Sequence, residues 1–196
     1  MRKVDTALHR WIVAAVFVSI GAAGLSQPLA ARADGGAGAR AAIKIPNFGQ
    51  INTNYYRGAQ PSSSDYTDLA ALGVKTVIDL TRDGLAEEAS FVAHAGMKFV
   101  RIPLTTSARP SEEAVTQFLS LVNDPANQPV YVHCQGGRHR TGVMTALYRV
   151  THDKWTADQA FAEMRHYEFD KGLGHGALKN FLFDFYARLA APAVHQ

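Results

Sequence analysis

The most telling stretch of this chain is His133-Cys134-Gln135-Gly136-Gly137-Arg138-His139-Arg140-Thr141-Gly142, which contains its only cysteine. It follows Val130-Tyr131-Val132, a run of residues typical of a buried strand, and it leads into a segment with helical character. A strand, a glycine-containing loop and the start of a helix together form a cradle for an anion the size of phosphate. The loop amides and the positive end of the helix dipole both face such an anion.

The residue types in this stretch indicate nucleophilic chemistry on phosphorus. A thiol at the base of the cradle loses its proton readily, because the donors that bind a phosphate dianion also stabilise a thiolate. We therefore predict that Cys134 is the nucleophile. We also predict that Arg140 holds two phosphate oxygens with its planar guanidinium, and that Thr141 donates a hydrogen bond to the departing sulfur. The predicted substrate-binding residues are Gln135, Gly136, Gly137, Arg138 and His139.

These residues carry a family resemblance. The loop resembles the H-C-x-x-G-x-x-R-[ST]-G signature of cysteine-dependent protein-tyrosine and dual-specificity phosphatases, and Arg138-His139 makes it most similar to the atypical plant-and-fungal branch. Two upstream stretches, Tyr56-Arg57-Gly58-Ala59-Gln60-Pro61 and residues 72–80, resemble the pattern of that branch and of its bacterial relatives. The resemblance spans roughly residues 43–164 and implies a phosphatase that needs neither a metal nor an organic cofactor.

The substrate stays open at the level of sequence. The partner is predicted to be a phosphorylated molecule, either a phosphotyrosine protein or a soluble polyanion, because Arg138 and His139 add cationic side chains to the loop. The resemblance implies inositol pyrophosphates, inositol phosphates or phosphoinositides as further substrates. A non-catalytic phosphate-binding module is an alternative. Arsenate reduction is disfavoured because it needs partner cysteines, and rhodanese-type sulfur transfer because its loops lack the Arg-Thr-Gly exit into the helix.

The general acid has no clear position in the sequence. Many relatives of this superfamily place an aspartate on a loop well before the cysteine, but residues 104–111 contain no carboxylate. The candidates are Asp83, Glu112 and Glu113, of which the two glutamates also fit as favourable charges at a helix N-terminus. Asp79 and His139 are further alternatives. An acidic leaving group, such as the phosphate released from a pyrophosphate, needs little protonation.

The N-terminal segment, residues 1–33, has the layout of a secretory signal peptide. Arg2, Lys3 and Arg10 precede the uncharged run 11–25, and Ala31-Arg32-Ala33 offers a cleavage site, so we expect an exported protein, periplasmic or secreted. An uncleaved membrane anchor is the alternative, although the apolar run is shorter than a bilayer span requires. The segment carries a net charge of +3, equal to that of the whole chain. The remainder is therefore neutral, and no nucleic-acid partner is indicated.

Strand and helix patterns alternate through the rest of the chain. We expect a linker over residues 34–42, one phosphatase domain over 43–190 and a tail over 191–196. Expected strands include 74–80, 98–104 and 129–133, and expected helices include 85–94, 111–122, 141–151, 157–166 and 176–190. The predicted fold is α/β, with a mainly parallel central sheet flanked by helices and the Cys134 loop between a strand end and a helix N-terminus.

Overall fold

The computed structural model describes residues 43–191 and contains a five-stranded sheet. The strands are β1 (Gly49–Asn52), β2 (Tyr55–Ala59), β3 (Thr76–Thr81), β4 (Lys98–Leu104) and β5 (Val130–Cys134). Their spatial order is β1-β2-β5-β3-β4, in which only β1 and β2 pair antiparallel. The predicted mainly parallel α/β fold is therefore confirmed. Since β5 lies at the centre of the sheet, the cysteine at its carboxyl end is surrounded by the loops that follow β2, β3 and β4.

Six helices are present within residues 43–191: α1 (Asp65–Ala71), α2 (Glu88–His94), α3 (Glu112–Asn123), α4 (Arg140–Thr151), α5 (Ala157–His166) and α6 (Gly176–Ala190). Two of their starts are capped as the sequence predicts. The Ser111 hydroxyl accepts the Ala114 amide at 3.2 Å, and Thr156 forms a reciprocal capping box with Gln159.

Helices cover both faces of the sheet. Residues of α3, α4, α5 and α6 pack on one face, and residues of α1 and α2 pack on the other. Alternation along the central strands supplies both cores: Val132 joins the first core and Tyr131 the second. Helix α6 buries Leu178, Phe181 and Leu182, so its apolar face belongs to the core, as its spacing predicts.

One predicted helix starts later than its sequence indicates. We expected a helix from Leu85, but α2 begins at Glu88. The Leu85 carbonyl instead accepts a hydrogen bond from Arg101 Nη2 at 2.7 Å, which binds this segment to β4. Among residues 43–191, no helix combines the length and apolar character needed to cross a membrane. The predicted signal peptide, the whole of the predicted linker and residues 192–196 lie outside the described residues.

Candidate active site

The cysteine loop joins the carboxyl end of the central strand to the start of a helix. Strand β5 ends at Cys134 and α4 begins at Arg140, so the loop occupies residues 135–139. A cavity of about 240 Å³ opens above it. Its lining consists of Thr106, Cys134, Gln135, Gly136, Arg138, His139 and Arg140. The fold thus brings the predicted nucleophile and the predicted phosphate-binding arginine to one cavity.

The loop carbonyls point away from this cavity. Three different groups bind them: the Gln60 amide donates to Gln135 O at 3.2 Å, Asn47 Nδ2 donates to Gly136 O at 2.8 Å, and Arg57 Nη2 donates to Gly137 O. Within residues 43–191, no protein oxygen accepts a hydrogen bond from the amides of residues 135–140. With the carbonyls held outward, these amides remain as donors for an anion inside the loop.

Cys134 lies at the base of this ring of donors. Its side chain is buried, with 2% of the residue exposed. Burial raises the pKa of the thiol, but the Thr141 hydroxyl and amide, the Arg140 charge and the Gly137 amide outweigh burial and hold the pKa below its ordinary value. The buried Thr141 Oγ1 has no oxygen or nitrogen partner in the described part of the chain, which leaves its hydrogen for the sulfur.

Arg140 retains free donors at the cavity. Only Nη1 has a partner, the Leu104 carbonyl at a long 3.4 Å, and the buried Nε has none within residues 43–191. Arg138 also lines the cavity, but its Nε donates to Glu168 Oε2 at 2.9 Å. Glu168 additionally binds Lys171, so one carboxylate holds two cationic side chains at the rim. The two arginines therefore differ: Arg140 is available to a ligand, whereas Arg138 is partly engaged by the protein.

His139 lines the same cavity, but its ring is also held by neighbouring residues. Its ring stacks on His175 at 3.9 Å between centroids, meets Phe169 edge to face, and has Nε2 2.9 Å from the Lys171 carbonyl. Burial and the neighbouring His175 lower the pKa of His139. The neutral form is favoured, which makes this imidazole a poor acid for a leaving group.

A cluster of buried charged side chains lies next to the cysteine loop, around His133. His133 Nε2 lies 2.8 Å from Glu88 Oε1, Arg101 Nε donates to Asp79 Oδ2 at 2.7 Å, and Tyr66 donates to Glu88 at 2.8 Å. Burial raises the pKa of Glu88, but its bonds with His133 and Tyr66 outweigh burial and keep the pKa below its ordinary value. Asp79, Glu88 and His133 are the one group of potential metal ligands among residues 43–191. Arg101 already supplies positive charge to both carboxylates.

The three candidate acids lie in different places. Asp83, in the loop after β3, lines a cavity of about 490 Å³ that also contains Gln135 and Arg140 and so adjoins the cysteine loop. Glu112 lines a separate cavity with Phe181, on the side of the molecule where α3 meets α6. Glu113 is exposed in the first turn of α3. Of the three, only Asp83 shares a cavity with the phosphate-binding arginine.

Asn47 and Arg57 are parts of the site that we did not predict from the sequence. The stretch around Arg57 was recognisable by resemblance, but the resemblance assigned it no task. Parallel pairing of β2 with β5, which aligns Ala59 with Cys134, places this stretch beside the loop. Gly137 has a φ of +65°, and a Cβ there would lie 2.5 Å from the Gly58 backbone. The loop therefore rests directly on β2, which requires a glycine at this position.

Comparison with known proteins agrees with this geometry. A family model described as "DSP-PTPase phosphatase fused to NAD+ Kinase" matches residues 44–177. Over 134 residues, the chain is 28% identical to inositol diphosphatase DSP2 of Oryza sativa subsp. japonica, covering 65% of each protein. It is also 28% identical to the dual specificity protein phosphatase TpbA of Pseudomonas aeruginosa, over 61% of this chain and 54% of TpbA. The match thus spans between half and two thirds of these relatives.

Solved structures extend the likeness to three dimensions. The core catalytic domain of the PP-IP phosphatase SIW14 from S. cerevisiae, in complex with citrate, superposes with a TM-score of 0.63 at 25% identity, covering 76% of this chain and 93% of the other. TpbA in complex with pTyr gives a TM-score of 0.56 at 26% identity, covering 72% and 90%. The signature loop and the family model agree, and the chain therefore belongs to the DSP-PTPase phosphatase family.

Proposed function

We propose that this protein hydrolyses phosphate monoesters through a covalent phosphocysteine on Cys134. One observation carries the proposal: a buried thiol with a lowered pKa lies in a loop whose carbonyls are bound outward and whose amides are free. Such a loop supplies fixed donors for the charge on the equatorial oxygens of the transferring phosphoryl group. A non-catalytic phosphate-binding module would not need the thiolate or Thr141.

The reaction has two steps. The Cys134 thiolate attacks phosphorus in line with the leaving oxygen, so that the S–P bond forms while the O–P bond breaks. Arg140 binds two phosphoryl oxygens, and the leaving oxygen takes a proton from an acid, for which Asp83 is the best-placed candidate. Water then attacks phosphorus and gives a proton back to the deprotonated acid, while the S–P bond breaks. The Thr141 hydroxyl donates to the departing sulfur, and inorganic phosphate leaves.

The substrate class divides into two candidates. TpbA is named a dual specificity phosphatase and has a structure with pTyr, whereas DSP2 and SIW14 are named inositol diphosphatases. Two features favour a polyphosphorylated small molecule. The lining of the cysteine cavity contains no aromatic side chain other than His139, and it contains no carboxylate. When a pyrophosphate bond is cleaved, the leaving group is a phosphate, which needs little protonation by an acid.

Comparison of wild type with a Cys134→Ser variant tests the nucleophile, and a panel of substrates tests the substrate class. Wild-type protein should hydrolyse p-nitrophenyl phosphate, and Cys134→Ser should be inactive with an unchanged unfolding curve, because the serine hydroxyl is not ionised at neutral pH. Retained turnover in the serine variant would refute the assignment of Cys134 as the nucleophile.

A panel of phosphotyrosine peptides, inositol polyphosphates, inositol pyrophosphates and phosphoinositides then ranks substrates by kcat/KM. A clear preference for phosphopeptides would contradict the polyanion argument.

We also propose that the chain is exported. The proposal rests on the charge and apolar pattern of residues 1–33 and on the Ala31-Arg32-Ala33 site. Expression of the full chain, fractionation and N-terminal sequencing of the recovered protein test it. A mature protein that begins at Asp34 outside the cytoplasm supports export, and an unprocessed protein found in the cytoplasm contradicts it.

A further inference from the structure

Arg57 is a buried cation without a carboxylate partner. It lies in the middle of β2 and is 0% exposed. Within residues 43–191 it forms no ion pair, and its Nε and Nη1 have no hydrogen-bond partner. Charged side chains are rarely buried without a partner, because removing a charge from water costs several kcal/mol.

The neighbours of Arg57 do not neutralise it. Its guanidinium lies 3.9 Å from the centroid of the Tyr167 ring, and Tyr55 is close along the same strand. Burial raises the pKa of both phenols, which are therefore uncharged at neutral pH. Glu163 acts on Arg57 from α5, but Arg149 Nη2 binds this carboxylate at 2.6 Å. The Cys134 thiolate is a further negative charge that acts on Arg57.

Arg57 and Cys134 meet at Gly137. Arg57 Nη2 donates to the Gly137 carbonyl, while the Gly137 amide is one of the groups that stabilise the thiolate. The positive φ of Gly137 and its contact with the Gly58 backbone leave this residue little room to turn. The bond from Arg57 therefore holds the Gly137 carbonyl towards β2. The amide of the same residue is left facing the Cys134 sulfur.

We propose that Arg57 is a positioning residue of the cysteine loop: it holds the Gly137 carbonyl outward, and its unpaired charge is balanced by the anion inside the loop. That anion is the Cys134 thiolate in the free enzyme and the phosphoryl group during the reaction. The inference deepens the proposed function and rests on it. It makes the thiolate depend on two arginines, Arg140 at the cavity and Arg57 beneath the loop.

Two substitutions separate the effect of the Arg57 charge from that of its hydrogen bond to the Gly137 carbonyl. Arg57→Met fills similar volume without charge, and Arg57→Lys keeps the charge but loses the planar donor. Cys134 is the only cysteine, so the rate of alkylation by iodoacetamide against pH reports its thiolate alone. In Arg57→Met we expect the thiol pKa to rise by about one pH unit, which slows alkylation about tenfold at a pH below both values. In Arg57→Lys the thiol pKa should stay closer to that of wild type.

Tyr167→Leu is the matched control, because it removes the ring against the guanidinium and keeps both the charge and the bond to Gly137. It should change the unfolding midpoint more than the thiol pKa. We expect kcat/KM of both Arg57 variants to fall by about 10²-fold, as for a loop displaced from its reactive geometry. A folded Arg57→Met whose alkylation profile matches wild type would overturn the proposal. Since alkylation needs no substrate, this failure is distinct from an absence of phosphatase activity.

A measurement on the unaltered protein keeps the inference testable if Arg57→Met does not fold. The Nε–H resonance of Arg57 should shift with pH at the pKa of the Cys134 thiol in the wild type. The same shift should be absent in Cys134→Ser. A resonance that does not respond to thiol ionisation would overturn the pairing of the two charges.

Discussion

The three arginines around the cysteine loop differ in which of their guanidinium nitrogens are free to bind a ligand. Arg140 has one long contact and presents its remaining nitrogens to the cavity. Arg138 is held at the rim by Glu168, and Arg57 is enclosed beneath the loop against Tyr167. A guanidinium binds a phosphate through whichever nitrogens are not already bonded, so the three residues cannot replace one another.

Arg140→Lys tests the role of the free guanidinium. An ammonium cannot grip two oxygens in one plane, so we expect kcat/KM to fall by about 10²–10³-fold. Steady-state kinetics with p-nitrophenyl phosphate measures the change, and Arg82→Lys is a control at an arginine that lines the adjoining cavity. Activity within a fewfold of wild type in Arg140→Lys would contradict two-point binding of the phosphoryl group.

Asp83→Asn tests the general acid. If Asp83 protonates the leaving oxygen, the variant should lose about 10²-fold or more on phenyl phosphate and much less on p-nitrophenyl phosphate, whose leaving group needs no proton. Glu112→Gln is the matched control, because Glu112 lines the separate cavity between α3 and α6. Equal losses on both substrates would remove Asp83 from this role.

At the scale of elements, β2 fixes the shape of the loop that follows β5. The pairing of β2 with β5 brings Gly58 against Gly137 and places Arg57 beneath the loop. The loop therefore takes its shape from a strand that lies far earlier in the chain. Substitutions at this contact should displace the cysteine loop and lower activity, while the overall fold is kept.

Gly137→Ala and Gly136→Ala form a matched pair. A Cβ at Gly137 would lie 2.5 Å from the Gly58 backbone and would occupy a φ of +65°, whereas a Cβ at Gly136 would meet nothing nearer than 3.8 Å. We expect Gly137→Ala to lose activity and about 1–3 kcal/mol of unfolding free energy, measured by urea denaturation. Gly136→Ala should keep an unfolding free energy close to that of wild type. A similar loss of stability in the two variants would contradict the close packing of the loop on β2.

Local patterns predicted these elements well, and long-range contacts explain what they missed. Strand β4 and helix α6 begin and end where the sequence indicates, because alternation, caps and helical spacing are local signals. The start of α2 was wrong because Arg101, on the neighbouring strand, binds the Leu85 carbonyl. Likewise the signature identified Cys134 and Arg140, but the roles of Asn47 and Arg57 depend on strand order, which one sequence does not reveal.

At the scale of the whole molecule, thiol ionisation is linked to stability. Although burial opposes ionisation, folding lowers the pKa of the Cys134 thiol below its ordinary value, because the Thr141 hydroxyl, the loop amides and the Arg140 charge stabilise the thiolate. The folded state therefore gains stability as pH rises from the folded pKa to the unfolded one, and loses it as pH falls through the folded pKa.

Comparison with Cys134→Ser isolates this contribution, since other ionisable groups are shared by the two proteins. The unfolding free energy of wild type minus that of the variant should rise as pH increases towards the unfolded thiol pKa of about 8.5, and then level off. Urea unfolding under reducing conditions measures it. A difference that is constant with pH, or that falls as pH rises, would contradict a thiolate stabilised by the fold.

The covalent bond between Cys134 and phosphorus is the central step of the proposed mechanism. Acid quenching during turnover of p-nitrophenyl phosphate, followed by digestion and mass spectrometry, should find one phosphoryl group on the peptide that contains Cys134. It should find none in Cys134→Ser. Steady turnover with an unmodified Cys134 at every quench time, or with phosphate on another residue, would contradict the account.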